Sequence, residues 1–473
     1  MNSGLQEIEL VVVGAGPAGA TATLAAHDFG LEVVLVDEQP FDAGAYRRNV
    51  PYWFGPRAAA RSKHQVDLYG WIERHARLRA VLANDINMRP RTAIWGLFPS
   101  ISGWSVGVFD GSTTQLWRAR AIVLATGATD LHLAFPGWTL GGVCGGLGAR
   151  SILETTGYLE ARRLLVLGTN DIALQVAAAA QAAGVEVVGL VDVEDSITGD
   201  PDRAAALQAS GVRHFSGHTI VTAHGGADVD EVSVAAVDGE RVRLDASERI
   251  SVDSVCVAIG RQPSLELAYL AGCALEYAAE DGGWKVAHGP AGETSQPGIY
   301  VAGDAGGTLS ESAAAASGER AASAAADWLR GTQHAWRPRV GRSTNVFASR
   351  WHQLAESIAS DDVLVCRCEE ISRGEVLQAV RALGAQRAAD PNEVKRISRA
   401  GMGVCQGRGC RPIVAGLLAR QHATAFADIP LSSYRPPVRA LPLAALATEE
   451  GADGPLLEPF GAANFTLPNA SAT

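Results

Sequence analysis

The sequence predicts an α/β fold with two Rossmann-like domains and a small helical domain toward the C-terminus. Three observations predict it. An apolar strand, Leu10-Val11-Val12-Val13, runs into Gly14-Ala15-Gly16-Pro17-Ala18-Gly19 and an Ala-rich helical stretch. A weaker copy of that unit begins at Leu164 and turns at Gly168-Thr169-Asn170. Four of the seven cysteines form two close pairs, Cys366 with Cys368 and Cys405 with Cys410, where the composition changes.

A continuous apolar run suits a strand buried on both faces. The helical stretch after Gly19 extends to about Gly30, and the next strand, Val33–Val36, ends at Asp37-Glu38. The glycines of Gly14-x-Gly16-x-x-Gly19 differ in what they do. The first permits a tight turn, the second lets backbone approach a pyrophosphate, and the third lets helix and strand pack closely. The following helix N-terminus presents free N–H groups and partial positive charge to phosphates, with Pro17 and Ala18 in its first turn. An acid about 20 residues on, here Asp37 with Glu38 beside it, can accept hydrogen bonds from a ribose diol. A dinucleotide site is therefore expected here.

In the second unit, Asn170 places a side chain where a pyrophosphate would need bare backbone, so NAD binding is not expected. A further strand is expected over Ser251–Ile259, ending at Gly260, and another over Gly298–Ala302, running into Gly303-Asp304. The Ala-rich stretch Ala313–Ala326 carries Glu319, Arg320 and several serines, as a packed soluble helix would. Asp304 could be the N-cap of that helix or a cofactor ligand. The expected divisions are 1–155 and 286–355 for the first nucleotide-binding domain, 156–285 for the degenerate second, 356–428 for the cysteine domain, and 429–473 for an extended arm.

The 473 residues are 47% hydrophobic and 19% charged, as in a globular protein with a sizeable core. A formal net charge of −11 argues against general affinity for nucleic acid or anionic membrane. No positively charged, apolar leader opens the chain, which argues against a secretory signal, and no run of about 18 apolar residues supports a spanning helix; the cysteine usage points to a reduced, cytoplasmic compartment. Seven cysteines in a chain this long are not a disulfide framework. Cys256, inside Val255–Ile259, is expected as core filler, and Cys144 and Cys273 are expected to stand alone. His132 is expected to be a structural histidine, with a place near a flavin as the alternative.

Four thiolates in two close pairs can hold a [2Fe–2S] cluster, two per iron. Gly401, Gly403, Gly407 and Gly409 leave backbone N–H groups free to approach the cluster's sulfurs. A tetrahedral zinc site is the alternative, although zinc pairs usually have two to four residues between cysteines.

Two segments resemble the glutathione-reductase-like flavoproteins: Ile122–Leu124 leading to Ala125-Thr126-Gly127-Ala128, and Ile299-Tyr300-Val301-Ala302-Gly303-Asp304-Ala305. The resemblance implies FAD at the first turn, with Thr126, Gly127 and Gly303 around it and Asp304 on the ribityl chain. Cys366-Arg367-Cys368-Glu369-Glu370, Val394-Lys395-Arg396 and Ser398–Gly407 resemble the domain named for bacterioferritin-associated ferredoxin. With Phe135-Pro136-Gly137-Trp138-Thr139-Leu140, the whole is similar to the alpha-type subunits of opine oxidases, hydrogen cyanide synthase and hydroxyproline or proline dehydrogenases. One departure is Ala43-Gly44-Ala45-Tyr46-Arg47-Arg48, where relatives often carry Gly-Gly-Gln-Ile-Tyr-Arg. Some relatives hold ATP at the first site.

The resemblance implies FAD, a [2Fe–2S] cluster, and FMN at a subunit interface. It also implies a hetero-oligomer with a flavoprotein beta subunit of amine-oxidase type, and a quinone or other carrier as acceptor on the inner face of the membrane. The chain would then be an electron-transferring subunit of an amino-acid or secondary-amine dehydrogenase, with no catalytic residue of its own nominated. The alternatives are a self-sufficient NAD(P)H-dependent reductase and a non-catalytic assembly subunit.

Overall fold

The computed structural model describes residues 7–39, 75–239, 241–332, 336, 351, 354, 357–384 and 390–446. The Ala43–Arg48 segment and the end of the arm lie outside the described residues.

Leu10–Val13 and Val33–Val36 leave no polar face, so both strands need cover on two sides. Strand Glu7–Val13 pairs in parallel with Val33–Val36 on one side and Thr114–Leu124 on the other. Asn87–Arg89 extends the sheet beyond Val33–Val36. The far side of Thr114–Leu124 is shared. Its first half takes the antiparallel meander Ala93–Ser100 and Gly103–Phe109, and its last residues take Ile299–Val301 in parallel. Val13, Leu124 and Val301 therefore end side by side, and the loops after them meet at one edge of the sheet. Helix Pro17–Asp28 crosses helix Glu311–Leu329 closely: a Cβ on Gly318 would stand 2.0 Å from the Ala18 carbonyl oxygen.

The second sheet is wholly parallel, in the order Arg213–Ser216, Glu186–Asp192, Arg163–Leu167, Ser254–Val257, Val143–Gly145. The strand expected over Ser251–Ile259 is two strands. Glu248–Ser251 pairs with the antiparallel strand Val229–Asp238, and Ser254–Val257 enters the parallel sheet. Between them, the Asp253 carboxylate accepts the N–H groups of Arg162 and Arg163, both at 2.9 Å, which ends one ladder before the next begins.

Cys256 is fully buried, as expected of filler. The expectation that Cys144 stands alone fails: Val143–Gly145 and Ser254–Val257 are in register, with Cys144 opposite Cys256. Contact with Cys144 and burial push the Cys256 thiol well above its ordinary range, so Cys256 stays a thiol.

In the C-terminal domain, the hairpin Leu364–Cys366/Ile371–Ser372 leads into helix Arg373–Leu383. A reciprocal capping box between Ser372 and Glu375 starts that helix. Helices Pro391–Ser398 and Cys410–Gln421 follow. Their apolar faces share one core with the second Rossmann-like domain, joining Trp351, Val376 and Leu417 to Phe135, Val143 and Val257. The domain is fused to the body rather than tethered to it. Residues 429–446 run back across the body in largely extended form: Val438 is 1% exposed, and its N–H donates to the Trp95 carbonyl. Among the described residues no helix is long and apolar enough to cross a membrane.

Candidate functional site

The first glycine turn opens onto a cleft of about 1260 Å³ lined by Ala15, Gly16, Pro17, Asp37, Asp130, Arg261 and Asp304, among others. That exceeds the roughly 300–1,000 Å³ of ordinary ligand pockets and suits an extended dinucleotide. Gly14 has φ +104°, and a Cβ there would stand 2.2 Å from the Ala125 carbonyl oxygen. A Cβ on Gly19 would stand 1.7 Å from the Gly14 carbonyl oxygen. These two positions are closed by packing. Gly16 is different: a Cβ there would meet nothing within 4 Å. As N-cap of helix Pro17–Asp28 it offers no side-chain acceptor, so the helix's first N–H groups stay available to a pyrophosphate.

Asp37 is tied to this turn. Its Oδ2 accepts the Ala15 N–H at 2.6 Å and its Oδ1 accepts the Gln39 N–H at 2.7 Å. Burial pushes its carboxyl up to about 6, against the lowering effect of those two bonds. Glu38 turns the other way and pairs with Arg439 of the C-terminal arm at 2.6 Å. Thr126 and Gly127 sit at the crossing between domains, where the Thr126 hydroxyl donates to the Ser264 carbonyl at 3.1 Å and the Gly127 carbonyl accepts the Ser264 N–H at 3.0 Å. The Gly303 N–H donates to Ser317 Oγ at 2.8 Å.

Asp304 faces the cleft with Arg261 as its counter-ion, and its Oδ1 accepts the Leu309 N–H at 2.8 Å. It is not the helix N-cap. Ser310 is, accepting the Ala313 N–H at 3.3 Å. Arg261 was missed from the sequence. Its only signal was its place just after the Ile259-Gly260 strand end, where sheet loops reach a ligand cleft.

At the second turn, Asn170 is the N-cap of helix Asp171–Ala182. Its Oδ1 accepts the Ile172 and Ala173 N–H groups at 3.0 and 3.2 Å, and its Nδ2 donates to the Ala258 carbonyl at 2.6 Å. The donors that would hold a phosphate are already satisfied. Gly199 packs over the same turn, where its Cβ would lie 2.8 Å from the Asn170 carbonyl carbon. Asp171 adds negative charge at the helix start.

The four cysteines meet as two pairs. Cys366 lies beside Cys410, and Cys368 beside Cys405. The Cys410 contact, helped by N–H groups of Gly401, Glu369 and Cys368, pulls the Cys366 thiol down to about 6. Cys410 is pushed up correspondingly, and burial raises Cys368 to about 11. A Cβ on Gly403 would stand 2.5 Å from Cys368 Cβ, so the glycine-rich run wraps the first pair closely. Among the described residues no three metal-ligating side chains converge on one ion-sized point. Two pairs of sulfurs are what two irons require. Cys368 is exposed, while Cys366 and Cys410 are buried.

The cluster loop is clamped to the body. Arg408 Nε pairs at 2.7 Å with Glu266, which is 3% exposed and also lies 3.8 Å from Arg439. Burial opposes the Glu266 charge, but the two guanidinium groups prevail and hold its carboxyl below the usual range. His132, half-buried, packs against Gly409 and meets Trp138 edge-on, while Trp138 Nε1 donates to the Leu364 carbonyl at 2.7 Å. Burial lowers the His132 imidazole, which stays neutral. It serves the junction between the body and the cluster domain.

Residues 8–319 match the pyridine nucleotide-disulphide oxidoreductase family, and residues 364–420 match the BFD-like [2Fe-2S] binding domain. The A-type subunit of the opine oxidase from Rhizobium meliloti (strain 1021) is 27% identical, over 93% of this chain and 98% of its own length. The hydrogen cyanide synthase subunit HcnB of Pseudomonas aeruginosa is also 27% identical, over 92% of this chain and 97% of its own. Among solved structures, L-proline dehydrogenase from P. horikoshii aligns with a TM-score of 0.65 at 20% identity, covering 94% of this chain and 81% of that one. That likeness concerns the fold.

Proposed function

Because the chain belongs to the pyridine nucleotide-disulphide oxidoreductase family and carries FAD with a BFD-like [2Fe-2S] domain, we propose that it is the electron-transferring subunit of a heteromeric dehydrogenase. The substrate class is an amino acid or secondary amine: an opine, proline or hydroxyproline, or glycine. Support for that class comes from the relatives named as subunits of opine oxidase and hydrogen cyanide synthase. The observation that carries the proposal is the closed second turn. With Asn170 satisfying the helix N-terminus, a nicotinamide dinucleotide has no phosphate cradle, so electrons enter from another source.

Substrate oxidation belongs in this proposal to a partner flavoprotein of amine-oxidase type, with FMN at the interface and a quinone or similar carrier as acceptor. The setting is cytoplasmic, with the acceptor at the inner face of the membrane. Bound FAD exchanges one or two electrons and the cluster one at a time, which suits a junction between two-electron oxidation and single-electron carriers. The chain's own residues hold these groups. Gly16 and the helix after it receive the pyrophosphate, Asp37 the ribose, and Asp304, paired with Arg261, the ribityl hydroxyls. Cys366, Cys368, Cys405 and Cys410 hold the irons, and the Arg408–Glu266 pair keeps their loop against the flavoprotein body.

The test is anaerobic. The isolated chain should stay oxidised with excess NADH or NADPH. Co-purified with its partner, it should show a bleached flavin and a rhombic EPR signal when the complex meets its amine substrate. Rapid bleaching of the lone chain by NADH would make it a self-sufficient reductase. A cluster that the complete complex cannot reduce would give the chain a role in assembly only.

A further inference from the structure

We infer that Gln262 ties the flavin cleft to the cluster loop: it positions Cys410, so that binding of FAD and the hold on the irons are coupled. This coupling is independent of which partner supplies the electrons. It starts from a gap in the loop's own hydrogen bonding. Ahead of helix Cys410–Gln421 the backbone already turns in helical register, the Arg411 N–H donating to the Gly407 carbonyl at 3.1 Å. One residue on, the same pattern would pair the Arg408 carbonyl with the N–H at position 412, and Pro412 has none. A carbonyl turned inward needs a donor. Here it comes from a residue 146 positions away: Gln262 Nε2 donates to the Arg408 carbonyl at 2.5 Å.

Gln262 is the middle residue of strand Arg261–Pro263, which pairs with Ala128–Asp130. Successive side chains of a strand point to opposite faces. Arg261 lines the nucleotide cleft, where it pairs with Asp304 and its Nη2 donates to the Leu309 carbonyl at 3.2 Å. Gln262 lines instead a small cavity on the other side, together with Arg408 and Cys410. One short strand therefore carries a cofactor contact on one face and a cluster-loop contact on the other, one residue apart.

The neighbouring contacts brace the loop without that double reach. Glu266 holds the Arg408 side chain at 2.7 Å, and the His132 ring would lie 3.6 Å from a Cβ on Gly409. The Gln262 bond acts on the main chain itself, two residues before Cys410, and the residue beside Gln262 answers to the cofactor. A ligand that engages Asp304 fixes Arg261, and with it the strand. A strand held more firmly keeps the Arg408 carbonyl, and so Cys410, in place. Such a coupling is reciprocal: whatever secures Cys410 also favours the cofactor.

The experiment follows the rate at which a ferrous-iron chelator strips the reduced cluster of the full chain, with FAD removed and with FAD restored to saturation. The EPR signal at the start confirms an intact cluster in each protein. In wild type, FAD should slow iron release roughly fivefold, the low end of ordinary coupling between two sites. Gln262→Met keeps the side chain's length and lacks the donor, so it should lose iron several-fold faster than FAD-loaded wild type, at one rate with or without FAD. Adding Pro412→Ala returns an N–H to the helix, where it can reach the Arg408 carbonyl. The double variant should recover slow release and still ignore FAD. The proposal falls if release from wild type is indifferent to FAD, or if release from Gln262→Met still responds to it. If Gln262→Met holds no cluster, the double variant decides: slow release independent of FAD upholds the proposal, and a retained response to FAD or a missing cluster overturns it.

Discussion

The two glycine turns start from the same plan, a parallel strand, a turn and an Ala-rich helix, and they differ in what meets the helix N-terminus. At the first, Gly16 has no side chain and faces open cleft, so the N–H groups are left for a ligand. At the second, Asn170 turns its carboxamide back onto Ile172 and Ala173, and Gly199 packs on top. A helix N-terminus has four orphan N–H groups, and whichever acceptor is covalently at hand takes them first. The scaffold therefore survives in both places, while the capacity to bind a dinucleotide follows from what stands at the cap and packs over it.

The harshest way to break this contrast is at the first turn's packing. Gly19→Val would drive its side chain into the Gly14 carbonyl and should cost about 3 kcal/mol or more. The expected result is chain with at least tenfold less bound FAD per mole and a clearly lowered melting temperature. Gly16→Asn is the more informative change, because it copies the second turn's residue into the first. With nothing within 4 Å the fold should hold, while FAD affinity should fall at least tenfold, about 1.4 kcal/mol. Equal FAD affinity in this variant would show that the cap does not control the site.

Acidification gives a smaller effect of known sign. The Asp37 carboxyl titrates near 6 in the folded chain and near 3.8 in its ordinary state, so between those values the folded, flavin-free chain binds a proton that the unfolded chain lacks. Its stability from this group rises as pH falls through about 6. The ribose hydroxyls of FAD need the ionised acceptor, so FAD affinity should weaken several-fold from pH 7.5 to 5.5, and Asp37→Asn should flatten that dependence. The smallest effect is expected from Asn170→Ala, a loss of about 1 kcal/mol of stability, read from thermal unfolding. NADH titration should still show no binding, because Asp171 and Gly199 remain over the turn.

Much of this was legible in the sequence. The first turn, its acid Asp37 and the four cysteines are signals of local spacing, and local spacing survives folding unchanged. Arg261 and the Arg408–Glu266 clamp were not legible, since neither partner's position predicts the other across so long a stretch of chain. The Glu38 and Asp304 assignments illustrate the same limit. Glu38 was chosen for its place at a strand end and Asp304 from the family resemblance, and neither shows its partner: one carboxylate is held by Arg439 of the returning arm and the other by Arg261. Likewise Cys144 and Cys256, each isolated in the sequence, become neighbours once two parallel strands come into register.

By itself, then, the sequence determined which strand, turn and helix could form, where a pyrophosphate could approach and which thiols could bind iron, because each depends on residues a few positions apart. The tertiary structure decided which carboxylates stay available to a ligand and how the cysteines pair. Those outcomes depend on charges and donors carried by distant segments, and a buried charge finds its partner only when the fold brings the two together.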